Sequence, residues 1–127
     1  MRALAASPER VWAAFTTHEL ASWFWPPRWE TSVQIDPRVG GRFHVASAIA
    51  GLAISGEFVV IEPITRLVQT WLWDGDTVET LVTIELQPAD TGTTLTITHE
   101  RFDQVETRHA HLQGWNDCLE RLPELLS

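Results

Sequence analysis

The segment between Thr31 and Arg101 most narrowly limits the possible folds, because strand-like runs and turn residues alternate along it. Six runs rich in β-branched and aromatic residues occupy 31–36, 42–48, 54–62, 67–73, 79–87 and 93–101. The breaks between them contain Gly, Pro and Asp, which set or tolerate turn dihedrals, and the last break is predicted from Pro88 to Gly92. The segment therefore predicts an antiparallel meander in which residues alternate between a buried and a polar face.

Helical signals flank this meander on both sides. Ser7 before Pro8 predicts a helix over 8–15, and a second short helix is predicted over 18–24, after Thr17 as its cap. Asp103 is expected to cap a long C-terminal helix, whose apolar residues at helical spacing are Val105, Leu112, Trp115, Leu119, Leu122 and Leu126. A short edge strand over 2–6 is also expected. The long helix is the only predicted element that can cover one sheet face, which indicates an α+β fold.

Length and charge exclude several classes of protein. A chain of 127 residues predicts one domain over 1–127 that folds without disulfides or metal. The net charge of −8, with no Lys, would repel a phosphate backbone or an anionic bilayer, so neither a nucleic acid nor a membrane is expected as a partner. A single cysteine and a start without the pattern of a secretory signal predict a cytoplasmic protein.

The candidates for a metal or a catalytic group are few. His109 and His111 lie two residues apart on the predicted helix and therefore point away from each other, so we predict no metal site and no cofactor. Cys118 lies in the helix interior without a basic neighbour and is interpreted as a small core residue. Alternation places Glu85 and Glu100 on the solvated face of their strands, and no catalytic residue is predicted.

Short motifs occur in a fixed order along nearly the whole chain. They are SPERVWAAF at 7–15, EL at 19–20 with WF at 23–24, DPRVGGRF at 36–43, GEF at 56–58, EP at 62–63, RLVQTW at 66–71, ETLVTI at 79–84 and HLQGW at 111–115. In this order they resemble the activator-of-Hsp90-ATPase-like branch of the START/Bet v 1 superfamily. The family's first strand is usually longer than 2–6 allows, which implies either a trimmed edge strand or a start upstream of Met1.

The resemblance implies a helix-grip fold, in which a curved antiparallel sheet wraps around a long C-terminal helix and two short helices lie near the N-terminus. It also implies a cavity between sheet and helix, which binds apolar small molecules in many members of the superfamily. Our first hypothesis is therefore non-covalent binding of a small apolar or aromatic molecule. The alternatives are a protein-interaction or co-chaperone-like stress module, with a protein partner or a homodimer, and an enzyme of the cyclase or hydratase type.

Side chains on the inward faces of the predicted elements are the candidates for the cavity wall. They are Trp12, Phe43, Phe58, Gln69, Trp71, Trp73, Ile84, Ile97, His111, Trp115 and Leu119. The aromatic members either fill the core or form a box around a ligand.

Three positions leave two interpretations open. His111 either borders the cavity or bonds to a strand backbone as a structural histidine. Gln69 points inward beside Leu67 and Trp71, so its amide is satisfied either by a ligand or by a core partner such as His111. Gly114 inside a helix costs about 1 kcal/mol relative to Ala, which indicates close approach either of the sheet or of a ligand.

Overall fold

The computed structural model describes residues 2–126 and contains one antiparallel sheet covered on one face by helices. Residues 1 and 127 lie outside the described residues, and so does the predicted alternative of a start upstream of Met1. The elements in chain order are β1 (Arg2–Leu4), α1 (Pro8–Thr16), α2 (Leu20–Trp23), a 3-10 turn (Pro27–Trp29), β2 (Ser32–Ile35), β3 (Arg42–Ser47), β4 (Leu52–Glu62), β5 (Arg66–Trp73), β6 (Thr80–Ala89), β7 (Gly92–Glu100) and α3 (Val105–Leu126). The strand order is β1-β7-β6-β5-β4-β3-β2. The curved sheet, the long C-terminal helix and the short N-terminal helices confirm the predicted helix-grip α+β fold.

The capping residues correctly predict the start of α1 but not that of α2. The Ser7 side chain accepts a hydrogen bond from the Arg10 amide at 3.2 Å, and Pro8 occupies the first turn of α1. The prediction of Thr17 as the cap of the second helix is wrong, because the residue before α2 is Glu19 and its side chain makes no capping bond. The Thr17 hydroxyl instead accepts from the Glu19 amide at 3.2 Å in the preceding turn, and α2 is shorter than the predicted 18–24.

Strand β6 runs further than predicted, because Pro88 lies inside it instead of ending it. Pro88 pairs with Thr93 of β7, whereas the neighbouring β5 begins at Arg66, opposite Glu85. A proline is tolerated at such a position because its missing N–H faces the side on which no partner strand remains. A second irregularity is a bulge in β4, where Val59 lies between the paired residues Phe58 and Val60.

Only the C-terminal half of α3 packs into the core. Trp115, Cys118, Leu119 and Leu122 are buried there, and the Arg121 guanidinium donates to the carbonyls of Trp23 and Phe24 at 2.9 and 2.7 Å. The predicted apolar stripe is wrong for its first two members, since Val105 is 60% and Leu112 44% exposed. Periodicity indicates which side of a helix is apolar, but not how much of its length meets the sheet. None of the helices within residues 2–126 is long and apolar enough to cross a membrane.

Candidate functional site

A cavity of about 230 Å³ opens where the middle of α3 lies opposite the end of β5. Its wall comes from three parts of the chain, the segment after α2, strand β5 and helix α3. The residues that line it are Phe24, Trp25, Trp71, Trp73, Ala110, His111, Gly114, Trp115 and Cys118. Local sequence places them together, since Trp71 and Trp73 are two apart on a strand, and Ala110, Gly114 and Cys118 are four apart on a helix.

Four of the nine residues that line the cavity are tryptophans, and their rings pack against one another in pairs. Trp71 stacks on Trp115 with the ring centroids 5.3 Å apart and the planes at 27°. Trp25 stacks on Trp73 at 6.3 Å and 19°. Phe24 meets Trp71 and Trp115 edge to face. These contacts hold the rings in place, so that the wall is a set of fixed aromatic surfaces.

His111 joins helix α3 to strand β5. Its Nε2 atom accepts a hydrogen bond from Trp73 Nε1 at 2.7 Å, and its Nδ1 atom lies 2.8 Å from the Thr107 carbonyl oxygen. Because an indole N–H can only donate and a carbonyl can only accept, the proton of the neutral ring must lie on Nδ1. Both nitrogens of His111 are therefore occupied by protein partners.

His99 forms the second half of this network, from the neighbouring strand β7. Its Nδ1 atom accepts from Trp115 Nε1 at 3.1 Å, and its Nε2 atom lies 2.7 Å from Thr80 Oγ1. The Thr80 hydroxyl in turn donates to the Trp71 carbonyl at 3.2 Å, so the His99 proton lies on Nε2. Burial, and then the electrostatic effect of His111, lower the pKa of His99 to about 3, which keeps the imidazole neutral.

Cys118 closes the cavity on the α3 side, where it is buried. Burial raises the pKa of its thiol to about 11, so the side chain stays protonated and weakly nucleophilic at neutral pH. Among residues 2–126, no carboxylate lines the wall, and both imidazoles of the network already have partners. The arrangement is therefore suited to recognising an apolar surface.

The cavity adjoins a wider groove of about 660 Å³, with which it shares Trp25, Trp73, Gly114 and Cys118. Pro26, Pro27 and Trp29 form much of the remaining groove wall. Gly114 lies between the two spaces, and a Cβ atom added to it would have no atom within 4 Å. The interpretation that the sheet approaches Gly114 closely is therefore wrong.

Four of the eleven residues predicted to line the cavity come together there, namely Trp71, Trp73, His111 and Trp115. The other seven lie elsewhere on the apolar face. Phe43, Phe58 and Ile84 are buried in the core, and Trp12 packs against it. Ile97 and Leu119 line a separate pocket of about 140 Å³ with Leu112. Strand alternation and helical spacing place these side chains inward, but neither indicates where along the sheet the helix leaves a space.

Gln69 shares the core face, because it pairs with the buried Phe58 on β4 and the buried Val82 on β6. It is half-buried and does not line the cavity. Its expected core partner His111 bonds to Trp73 and Thr107 instead. His111 also differs from the predicted structural histidine, since the carbonyl it contacts belongs to its own helix.

Sequence reasoning missed Phe24, Trp25, Ala110 and Cys118 as wall residues and His99 as the partner of Trp115. A signal for the first two was present, because an aromatic cluster stands directly before Pro26 and Pro27. Within residues 2–126, no group of three or more His, Cys, Asp or Glu side chains is arranged to hold a metal ion.

Comparison with known proteins places the chain among proteins of the same fold. The family model described as "Activator of Hsp90 ATPase homolog 1-like protein" matches residues 5–127. A Chromobacterium violaceum protein is 30% identical, with a TM-score of 0.83 over 98% of this chain and 92% of its own. A Mesorhizobium loti protein is 29% identical, with the same TM-score and coverage. An Hsp90 activator from Plasmodium falciparum shares the fold at 23% identity, with a TM-score of 0.76 over 96% of this chain and 89% of its own. No curated protein matches the chain.

Proposed function

The chain belongs to the family of activator of Hsp90 ATPase homolog 1-like proteins, and we propose that it binds a small apolar or aromatic molecule non-covalently in the indole-lined cavity. The observation that carries this proposal is the wall itself. Fixed aromatic rings surround the cavity. Two of their indole nitrogens already have partners, because Trp73 donates to His111 and Trp115 donates to His99. An apolar occupant would leave each of these hydrogen bonds intact.

The size of the cavity indicates the size of the occupant. An apolar cavity of about 150 Å³ in a protein core accommodates benzene, so about 230 Å³ suits a molecule of two fused rings. A larger ligand would extend into the adjoining groove, which is lined by Trp25 and Trp73 on the side that faces the cavity.

The proposal is also supported by Gly114, because a glycine at this position lowers the stability of α3. It lies in the interior of α3, where glycine destabilises a helix by about 1 kcal/mol relative to alanine. No atom of residues 2–126 lies close enough to a Cβ at this position to require glycine. A ligand passing between groove and cavity would use the space that a side chain at Gly114 would fill.

Naphthalene titration of the wild-type chain and of Gly114→Leu tests the proposal. We expect saturable quenching of tryptophan fluorescence in the wild type and at least a roughly 10-fold weaker affinity in Gly114→Leu. The variant should also melt at the same or a higher temperature, since leucine is the better helix former by roughly 0.5–1 kcal/mol. Stability and binding would thus change in opposite directions.

Asn116→Leu is the matched control, because it adds the same side chain to α3 on the side of the separate 140 Å³ pocket. Its naphthalene affinity should equal that of the wild type. The proposal is wrong if the wild type shows no saturable quenching, or if Gly114→Leu binds naphthalene as well as the wild type does.

A further inference from the structure

We infer that the indole N–H of Trp71 is a specificity determinant, and that the cavity selects flat molecules that carry a hydrogen-bond acceptor such as a ring carbonyl. This inference rests on the proposed ligand-binding function and names the chemical class of the ligand. It follows from the polar atoms of the cavity wall, in which the N–H groups of Trp71 and Trp25 are left without a partner within residues 2–126 and, of these two, only Trp71 lines the cavity without also lining the groove.

The indole nitrogens of the other tryptophans on α3 and β5 already have hydrogen-bond partners. Trp73 Nε1 donates to His111 and Trp115 Nε1 donates to His99. Trp71 Nε1, by contrast, makes no hydrogen bond to any residue from 2 to 126. Trp71 is nevertheless buried, with 6% of its surface exposed.

The remaining surface of Trp71 includes its nitrogen. Within residues 2–126, Thr31 Oγ1 is the one fully enclosed polar side-chain atom without a partner, so Trp71 Nε1 must retain accessible surface. Trp71 lines the 230 Å³ cavity and neither the groove nor the separate pocket on the other side of α3. Its N–H is therefore presented to the space that a ligand would occupy.

A donor that a ligand leaves without a partner is costly. An apolar ligand would cover the Trp71 N–H and remove it from water, at a cost of about 1–3 kcal/mol. A ligand with a carbonyl oxygen at this point would restore the bond. The imidazole acceptor in the wall cannot serve the same purpose for a donating ligand, because His111 Nε2 already accepts from Trp73.

Indane and 1-indanone provide a matched pair of probes, since they share a bicyclic skeleton and differ in one carbonyl group. We expect 1-indanone to bind the wild-type chain roughly 3- to 10-fold more tightly than indane by titration calorimetry, the ratio given by one net hydrogen bond. In the proton–nitrogen spectrum, the Trp71 Nε1–H signal should shift downfield with 1-indanone and not with indane.

Trp71→Phe removes the donor and keeps an aromatic ring, so it should reduce the preference for 1-indanone to a ratio near 1. Trp25→Phe removes the other indole N–H of the wall that is unbonded within residues 2–126, on a ring that also lines the groove, and so tests the rival assignment. Trp12→Phe is the control, because Trp12 packs against the core and lines neither the cavity nor the groove. Both of these variants should keep the preference. If Trp71→Phe does not fold, the downfield shift in the wild type decides the assignment.

The outcomes separate this inference from the proposed function. If neither probe binds the wild type, the ligand-binding function itself fails. If both bind with equal affinity and without a shift of the Trp71 signal, ligand binding stands and the inference is overturned. Loss of the preference in Trp25→Phe instead of Trp71→Phe would also overturn it, because the donor would then be a different indole.

Discussion

The imidazole of His99 is buried in a hydrogen-bond network that does not accommodate its charged form. Its Nδ1 accepts from Trp115, so protonation at that atom would break the bond as well as bury a charge. The pKa of His99 is about 3 in the folded chain and about 6.5 in an unfolded one. Below pH 6.5 the unfolded chain therefore binds more protons, and stability falls as the pH is lowered toward 3.

Urea unfolding between pH 7.5 and 4.5 tests this effect. We expect the free energy of unfolding to be independent of His99 above about pH 6.5 and to decrease below it by at most about 1.4 kcal/mol per pH unit. His99→Gln, which does not titrate, should be less stable at pH 7 and have a flatter profile. The carboxylates contribute equally to both proteins, so parallel profiles would contradict the assigned pKa.

At the scale of residues, the sequence predicts which face of a strand is buried better than it predicts which side chains from different elements meet. The alternation of Leu95, Ile97 and His99 correctly indicates the inward face of β7, and Glu85 and Glu100 are exposed as expected. The pairing of His99 with Trp115 is not predictable in this way, because the two residues belong to different elements. Their meeting depends on the angle and height of α3 above the sheet, which no local pattern encodes.

At the scale of elements, the buried apolar residues of α3 all lie from Trp115 onward, whereas its N-terminal half is joined to β5 by the hydrogen bond between His111 and Trp73. Leu119 is buried on this helix and Leu112, seven residues earlier on the same predicted stripe, is 44% exposed. Leu119→Ala should therefore reduce the free energy of unfolding by about 2–5 kcal/mol, the range for emptying a buried leucine site. Leu112→Ala should cost under about 1 kcal/mol, as substitutions at exposed positions usually do.

Thermal or urea unfolding of the two variants measures this difference. Equal losses would mean that the whole length of α3 packs on the sheet, and a wild-type melting curve for Leu119→Ala would mean that the helix is not gripped at all.

The bounds of the elements follow from the sequence to within about two residues, since each is limited by a local signal. Ser7 with Pro8 starts α1, and the glycine and proline breaks separate the strands. The exceptions have causes outside the local pattern. Pro88 fits inside β6 because β5 does not extend alongside it. Val105 and Leu112 on α3 are exposed because the position of the helix over the sheet is set only in the assembled fold.

At the scale of the whole molecule, the resemblance correctly predicts the architecture because the motif order covers nearly the whole chain. The cavity could not be predicted in the same way. Its volume is the difference between the space enclosed by sheet and helix and the volume of the rings inside it, and a small movement of either changes that difference. Large aromatic residues on inward faces are equally consistent with a fully packed core and with an aromatic-lined cavity.

The fold should stand without metal or disulfide. A continuous apolar core extends from Leu4 to Leu122, and burial of this kind is sufficient to stabilise a domain of this length. The free thiol of Cys118 lies within that core, and residues 2–126 hold no cluster suited to a metal ion. We therefore expect a chelator and a reductant, each added in excess, to leave the melting temperature unchanged in a calorimetric scan. A drop of several degrees with the chelator would contradict this prediction, because a structural metal contributes its binding free energy directly to folding.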